Sequence, residues 1–401
     1  MMYPKQKARL GLAALAHRTK AGASQAAGSH CKGAKAQNQT KPAKIAFIQS
    51  RLLSTDGESD QWKLQGKRTL FTHNFVLPKG YSSISIYPTP MKEVRIGKST
   101  LRGSRLAFGC WRIAGTWEAR KVNAKARESG LKAILAAYET GYTLFDLADI
   151  YCEGISEELF GLALKQSESL KKSAVIATKC GIRIPEAGET YRYDLSANYI
   201  IQSCENSLQR LGVDCLDIYQ LHRPDWLMDP NEVAKAFAKL KKAGKVRHFG
   251  ISNFKPSQVS LLQSALKDSL VVNQIEISLL QLASFEDGTL DQCQQHKITP
   301  MAWSPLAGGY LGDGKSNVLP SQEKYKPIKI RRRLDTLARE LGTSRSAIAL
   351  AWLLKHPSGI IPIIGTTKPS RIRELAEADQ IELSHEQWYT LLTSALKEDL
   401  P

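Results

Sequence analysis

The chain has 401 residues, 42% of them hydrophobic and 23% charged, with a formal net charge of +18. This length admits one barrel of roughly 250–300 residues with an appendage, or two or three smaller domains. No apolar run approaches the length of a membrane-spanning helix, and the charge does not mark a nucleic-acid-binding body, because residues 1–80 carry 14 Lys and Arg against 3 Asp and Glu, which leaves only +7 for the remainder.

Residues 1–90 lack sustained periodicity and are rich in Lys, Ala, Gln, Ser and Gly, a composition too poor in apolar groups to fold alone. Within them KQKARLGLAALAHRTK (5–20) is basic, acid-free and amphipathic as a helix, which resembles an organelle-targeting presequence. Met91, the first methionine after Met2, sits where organised sequence begins, so a start at Met91 is an equal reading and a regulatory tail a third. The body at 91–401 is accordingly expected in the cytoplasm, or in a plastid or mitochondrion if the presequence is genuine. The seven cysteines (31, 110, 152, 180, 204, 215 and 293) are scattered and form no CxxC pair. They indicate neither a disulfide framework nor a zinc site, and they suit a reducing compartment.

From about residue 94 short β-rich runs recur: RLAFGCW (105–111), TLFDLA (143–148), SAVIATK (173–179), CLDIYQLH (215–222), VRHFGIS (246–252), VVNQIEIS (271–278), TPMAWSPL (299–306) and GIIPIIG (359–365). Segments with helical spacing lie between most of them, at 128–141, 156–172, 231–245 and 346–359. Ser156 with Glu157 and Glu158 gives a helix-start signal, and Gly141 and Gly244 fall at helix ends. Eight strands alternating with helices predict an α/β fold, a parallel (β/α)8 TIM barrel. A doubly wound sheet is disfavoured because no G-x-G-x-x-G follows a strand, and AGGYLG (307–312) has the wrong spacing.

In such a barrel the chemistry gathers where strands end. Asp146 and Tyr151 close the second strand, Lys179 the third, His222 the fourth, and Ser252 with Asn253 the fifth; Gln274 lies in the sixth, and Trp303 with Ser304 in the seventh. A lysine cation beside a phenol favours the phenolate and lowers its pKa from about 10. That lysine needs an anion to stay charged when partly buried, and Asp146 supplies one. His222 would donate to a substrate oxygen. Asp149 reads as a solvated residue without a catalytic part. A metal-ligand set of Asp146, Asp149 and His222 is the rival use of the same side chains, and Lys179 sits awkwardly beside it.

At these residues the sequence resembles the aldo-keto reductases. GYTLFDLADIYCEGISEELFG (141–161), VIATKCG (175–181) and LDIYQLHRPD (216–225) are similar to the family's aspartate–tyrosine, lysine and histidine motifs. VRHFGISNF (246–254), NQIEIS (273–278), MAWSPLAGG (301–309) and PIIGTTKPSRIREL (362–375) are similar to its cofactor-binding stretches. Together they cover about residues 94–401, and KCGI, LHRPD, GKVRHFGISNF and DGTLDQ look nearest to the YdhF-like bacterial oxidoreductase subgroup. The resemblance implies an NAD(P)H-dependent carbonyl reductase with Asp146, Tyr151, Lys179 and His222 as its catalytic tetrad. It implies that Ser252, Asn253 and Gln274 hold the carboxamide and that Trp303 stacks on the nicotinamide. Gly109, Cys110 and Trp111 fall at cofactor or substrate walls, and Ser304, Leu306 and Gly308 beside the pyrophosphate, approached by backbone amides of LAGGYLG. Gly365, Thr366, Lys368, Arg371 and Glu374 fall on the adenosine side.

Lys368 and Arg371 suit a 2′-phosphate, so NADP(H) is expected ahead of NAD(H). Leu375 and Thr367 stand where relatives often carry asparagine and arginine, which weakens the usual adenine and phosphate contacts. The expected partner is a small-molecule carbonyl substrate, with no nucleic acid and no membrane, in a monomer or small homo-oligomer. The rim loops 181–197 and 307–330, with Trp111 and Trp226 as aromatic walls, would set specificity. Cys110, Cys152 and Cys180 read as small packing residues, and KIRRR (329–333) as a solvated helix face. The alternative within the resemblance is a nicotinamide-sensing subunit that binds a partner protein.

Overall fold

The computed structural model describes residues 91–400 apart from 186–188, 315 and 399; the basic leader at 1–90 and the readings placed on it lie outside the described residues. Eight strands form a closed, wholly parallel barrel in sequence order: β1 (Ala107–Gly109), β2 (Leu144–Asp146), β3 (Val175–Cys180), β4 (Leu216–Leu221), β5 (Val246–Ser252), β6 (Val272–Glu276), β7 (Thr299–Trp303) and β8 (Ile361–Ile364). Closure comes from β8 against β1, with Ile363 opposite Ala107 and Ile364 opposite Phe108. Each β-rich run coincides with one of these strands to within a few residues at either end, and β3 runs one residue past its run, to Cys180.

The strands are apolar on both faces because both are covered. Ala107, Leu144, Val175, Ala177, Ile218, Val272, Met301, Ile361 and Ile363 fill the barrel interior, while Phe108, Phe145, Ile176, Tyr219, Phe249 and Ile251 meet the surrounding helices. An antiparallel hairpin, Glu93–Arg95 with Arg102–Ser104, leads into β1. Ile96 in its turn is fully buried in the interior cluster, and the Gly97 amide donates to Thr299 Oγ1 at the start of β7. The hairpin therefore plugs the end where strands begin and leaves the opposite end for loops. Gly109 is required by packing: a Cβ there would lie 2.8 Å from Ile363 Cγ2 and 3.0 Å from the Ile364 carbonyl oxygen, so β8 could not close on β1.

Gly141 and Gly244 end their helices in the left-handed region, with φ of 103° and 71°. The segment predicted as one helix over 156–172 is two, Ile155–Gln166 and Glu168–Ser173, separated by the extended Ser167, whose hydroxyl caps the second. Nor does Ser156 cap the first. Gly154 takes the cap position at φ 90°, and the Ser156 hydroxyl is buried without a partner. Glu157, expected as a first-turn surface acid, is fully buried; Arg210 Nε donates to it at 2.7 Å and Thr178 Oγ1 at 2.5 Å. That buried pair ties the helix to β3 at the residue before Lys179. KIRRR lies in the helix Pro327–Glu340 with Ile330 buried and the Arg331 guanidinium 5.2 Å from the Tyr310 ring centroid. No helix among the described residues is long and apolar enough to cross a membrane.

Candidate active site

The C-terminal strand ends bring the four sequence-predicted polar residues together. Lys179, on β3, is fully buried, and its Nζ lies 2.8 Å from Asp146 Oδ1, 3.0 Å from Tyr151 Oη and 2.6 Å from the Leu147 carbonyl oxygen. Three acceptors around one nitrogen are what an ammonium with three N–H donors requires. Burial pulls the Lys179 pKa down, and Asp146 opposes that shift. Asp146 is also held by Gln274 Nε2 at 2.7 Å, so its carboxylate is engaged by Lys179 and Gln274 instead of standing open to a metal. Among the described residues no group of three or more His, Cys, Asp or Glu could hold a metal ion.

Tyr151 departs from expectation in the direction of its pKa. Burial raises it well above the ordinary phenol value and the Asp146 charge adds to that. Burial is the largest cause, and the neighbouring lysine does not reverse it. The phenol consequently retains its proton near neutrality. Its oxygen accepts from Lys179, which leaves the O–H free to donate towards the mouth. The His222 ring meets Tyr151 edge-on at 5.9 Å between centroids, and burial pushes its pKa well below 6.5, with the Lys179 and Arg223 charges adding to the effect. It is a neutral imidazole whose buried Nδ1 has no hydrogen-bond partner.

A second chain of contacts runs along β5 to β7. Trp303 Nε1 donates to Asn253 Oδ1 at 2.9 Å, Asn253 Nδ2 to Ser252 Oγ at 2.7 Å, and Ser252 Oγ to the Gln274 carbonyl at 2.8 Å. Asn253 holds a φ of 64°, which turns its side chain off the strand into this chain. Through Gln274 the set joins Asp146. The aromatic wall is built differently from expectation. Trp226 is 93% exposed, whereas Trp111 meets Trp117 at 4.9 Å and Trp117 meets Tyr151 at 6.2 Å, both edge-on. Ile182 and Tyr193, from a short hairpin in the 181–197 loop, pack against the same cluster.

Cys110, Cys152 and Cys180 are buried, and burial raises all three thiols. Cys110 belongs to the core cluster shared by strands and helices, so its side chain packs. Asp149 is not simply solvated. Its Oδ1 is sealed off without a partner, and burial, helped by Glu157, raises its carboxyl well above the usual range.

The residues suit a dinucleotide in part. Trp303 and Trp111 are half-exposed rings flanking the barrel mouth, and a Cβ on Gly365 would lie 3.5 Å from Trp111 Nε1, so β8 passes close beneath that ring. Lys368 and Arg371 are exposed at the first turn of the helix Pro369–Ala376, and the Arg371 guanidinium lies 3.5 Å from the Cβ position of Gly314, so the loop after β7 and this turn share one basic edge. That edge fits an anionic, phosphate-bearing group, and Glu374 is half-buried on the same helix. The loop Ser304–Gly312 fits less simply. Ala307, Gly308 and Gly309 have positive φ, yet their amides are spent within the loop: Gly308 N on Ser304 Oγ at 3.2 Å and Gly309 N on the Leu306 carbonyl at 2.9 Å. Thr366 Oγ1 accepts from the Lys368 amide, and Leu375 is buried in the core.

A family model described as the aldo/keto reductase family matches residues 105–394, which spans the barrel and all the residues just described. The chain belongs to the aldo-keto reductase family. It is 40% identical over 301 residues to the oxidoreductase YdhF of Escherichia coli (strain K12), covering 74% of this chain and 95% of that one. It is 39% identical over 316 residues to the uncharacterised oxidoreductase YcsN of Bacillus subtilis (strain 168), covering 78% and 100%. The solved structure of a glycerol dehydrogenase from Gluconobacter oxydans superposes with a TM-score of 0.67 at 26% identity, covering 77% of this chain and 97% of the other. As an aldo-keto reductase the chain is an oxidoreductase of a family that works with nicotinamide cofactors.

Proposed function

We propose that this aldo-keto reductase reduces aldehydes or ketones to alcohols with NADPH in preference to NADH, and that Asp146, Tyr151, Lys179 and His222 carry the reaction. The observation behind this reading is the fully buried Lys179 ammonium shared between Asp146 and Tyr151. The nicotinamide, when bound, supplies the hydride. Tyr151 gives its proton to the carbonyl oxygen, and Lys179 stabilises the phenolate left behind. Asp146 keeps Lys179 charged, and neutral His222 donates an N–H that orients the carbonyl. Ser252, Asn253 and Gln274 provide the donors and acceptors for a carboxamide, and Trp303 a wall for the ring. Gly365, Thr366, Lys368, Arg371 and Glu374 line the adenosine end, where Lys368 and Arg371 favour a 2′-phosphate.

The test is a panel of aldehydes and ketones incubated with the full chain and either cofactor, with alcohol as the readout. Alcohol should form with both, at a lower KM for NADPH. Tight cofactor binding with no alcohol from any carbonyl would instead favour a sensing subunit.

A pH dependence follows from the two buried groups. Tyr151 holds its proton far above neutrality and His222 stays uncharged far below 6.5, so neither changes state in between. The rate of reduction is therefore expected to stay level from about pH 6 to pH 9. A break near 6.5 in kcat would place an exposed histidine in the step and contradict the geometry. Stability should behave differently. Below about pH 6.5 the unfolded chain takes up a proton on His222 that the folded chain refuses, so the His222 contribution to folding weakens as pH falls, whereas the raised Asp149 carboxyl acts in the opposite sense.

A further inference from the structure

Arg223 directly follows His222 at the end of β4, and nothing in the four-residue device uses it. Its guanidinium lies 5.7 Å from the Trp303 ring centroid, half-buried at the mouth. Its charge reaches both reacting side chains, since it lowers the pKa of Tyr151 and of His222. A cation in such a place is normally neutralised by a carboxylate of the protein. Here Asp225, two residues on, spends Oδ1 on the Leu227 amide. Glu276, in register with Trp303, is another carboxylate at the strand ends, and among the described residues no ion pair joins Arg223 to it or to Asp225. A second guanidinium, Arg112, stacks on Trp111 at 4.9 Å and is likewise without a carboxylate partner among the described residues. The carboxylates deeper in the site are spoken for: Asp146 pairs with Lys179, and Glu157 with Arg210.

We propose that Arg223 is a specificity-determining residue that pairs with an anionic group on the substrate, so that this enzyme's preferred substrates are carbonyl compounds carrying a carboxylate or phosphate close to the C=O. This rests on the reductase reading above and adds the substrate class to it. The guanidinium, 5.7 Å from the Trp303 ring centroid and half-buried, carries a planar N–H edge suited to a bidentate pair, and its partial burial strengthens that pair relative to one in open water. Arg112 extends the same field outward and draws the anion to the mouth. The reacting carbonyl is then left over Tyr151 and His222, with its charged tail anchored one residue further along β4's exit.

The test compares 4-carboxybenzaldehyde with its methyl ester, using the full chain, NADPH and the variants Arg223→Gln and Arg223→Lys. Wild type should favour the acid in kcat/KM by about tenfold or more, the scale of one charge-assisted hydrogen-bonded pair. Arg223→Gln should erase most of that preference, with the ester losing much less than the acid. Arg223→Lys should keep part of it, and rising salt should shrink it in wild type. The Kd of NADPH, read by fluorescence quenching, should stay close to wild type in both variants. Turnover of both aldehydes with no acid preference, or equal losses on acid and ester, overturns the assignment while leaving the reductase reading intact. A large rise in the NADPH Kd overturns it too, by making Arg223 a cofactor contact. No turnover of either aldehyde by wild type overturns the assignment, while the wider carbonyl panel decides the reductase reading separately.

Discussion

Tyr151→Phe is expected to lower kcat for carbonyl reduction by about two to four orders of magnitude, the usual worth of a positioned general acid, while leaving the Kd of NADPH near its wild-type value. The phenylalanine ring fills the same space between Trp117 and His222, so packing survives. What disappears is one oxygen, the one that accepts from Lys179 and whose proton is free for the substrate. The steady-state rate and a cofactor titration on the same preparation check it. Equal damage to rate and cofactor affinity would show that Tyr151 shapes the pocket without donating the proton.

The second large effect comes from the buried ion pair. Lys179→Met and Asp146→Asn should each depress kcat strongly, and the double variant should be little worse than the more damaged single one, because the two act as a unit. The physical cause is that Lys179 is fully buried and Asp146 nearly so. Removing either partner leaves an uncompensated buried charge, at a cost of about 3–5 kcal/mol. Asp146→Asn should therefore also lower thermal stability, although Gln274 Nε2 can still donate to the amide oxygen. A double-mutant cycle on kcat, alongside melting curves, decides the matter. Additive losses would separate the two residues and deny the shared role.

Much of this was legible in the sequence because strand ends carry two signals at once. An apolar run fixes the strand, and a polar residue closing it fixes the rim, which places Asp146, Lys179 and His222 without any long-range information. All eight strands were found for the same reason: a parallel barrel buries both faces, and continuous apolar runs between helical segments have few other uses. What stayed hidden depends on contacts distant in sequence. The Gln274 bond to Asp146 joins β6 to β2, and nothing local at NQIEIS points to it. Glu157 looked like a helix-start acid and proved to be the buried partner of Arg210, because Gly154 sets the helix entry and turns that face inward. The Tyr151 shift runs opposite to the expectation drawn from its lysine neighbour, because burial of the ring is the largest influence on it and has no local sequence signal. Trp117 carried no strand-end signal and emerged only from its packing between Trp111 and Tyr151. Trp226, conversely, looked like a wall and faces solvent.

The central claim is that one phenol proton and one cofactor hydride converge on a carbonyl held over Tyr151 and His222. It is tested most directly by reducing an aldehyde with NADPH deuterated at nicotinamide C4 and locating the label in the isolated alcohol. The label is expected on the former carbonyl carbon in wild type, at a rate that collapses in Tyr151→Phe. Cofactor bound tightly but no labelled alcohol from any carbonyl, or the same rate in the variant, would contradict it.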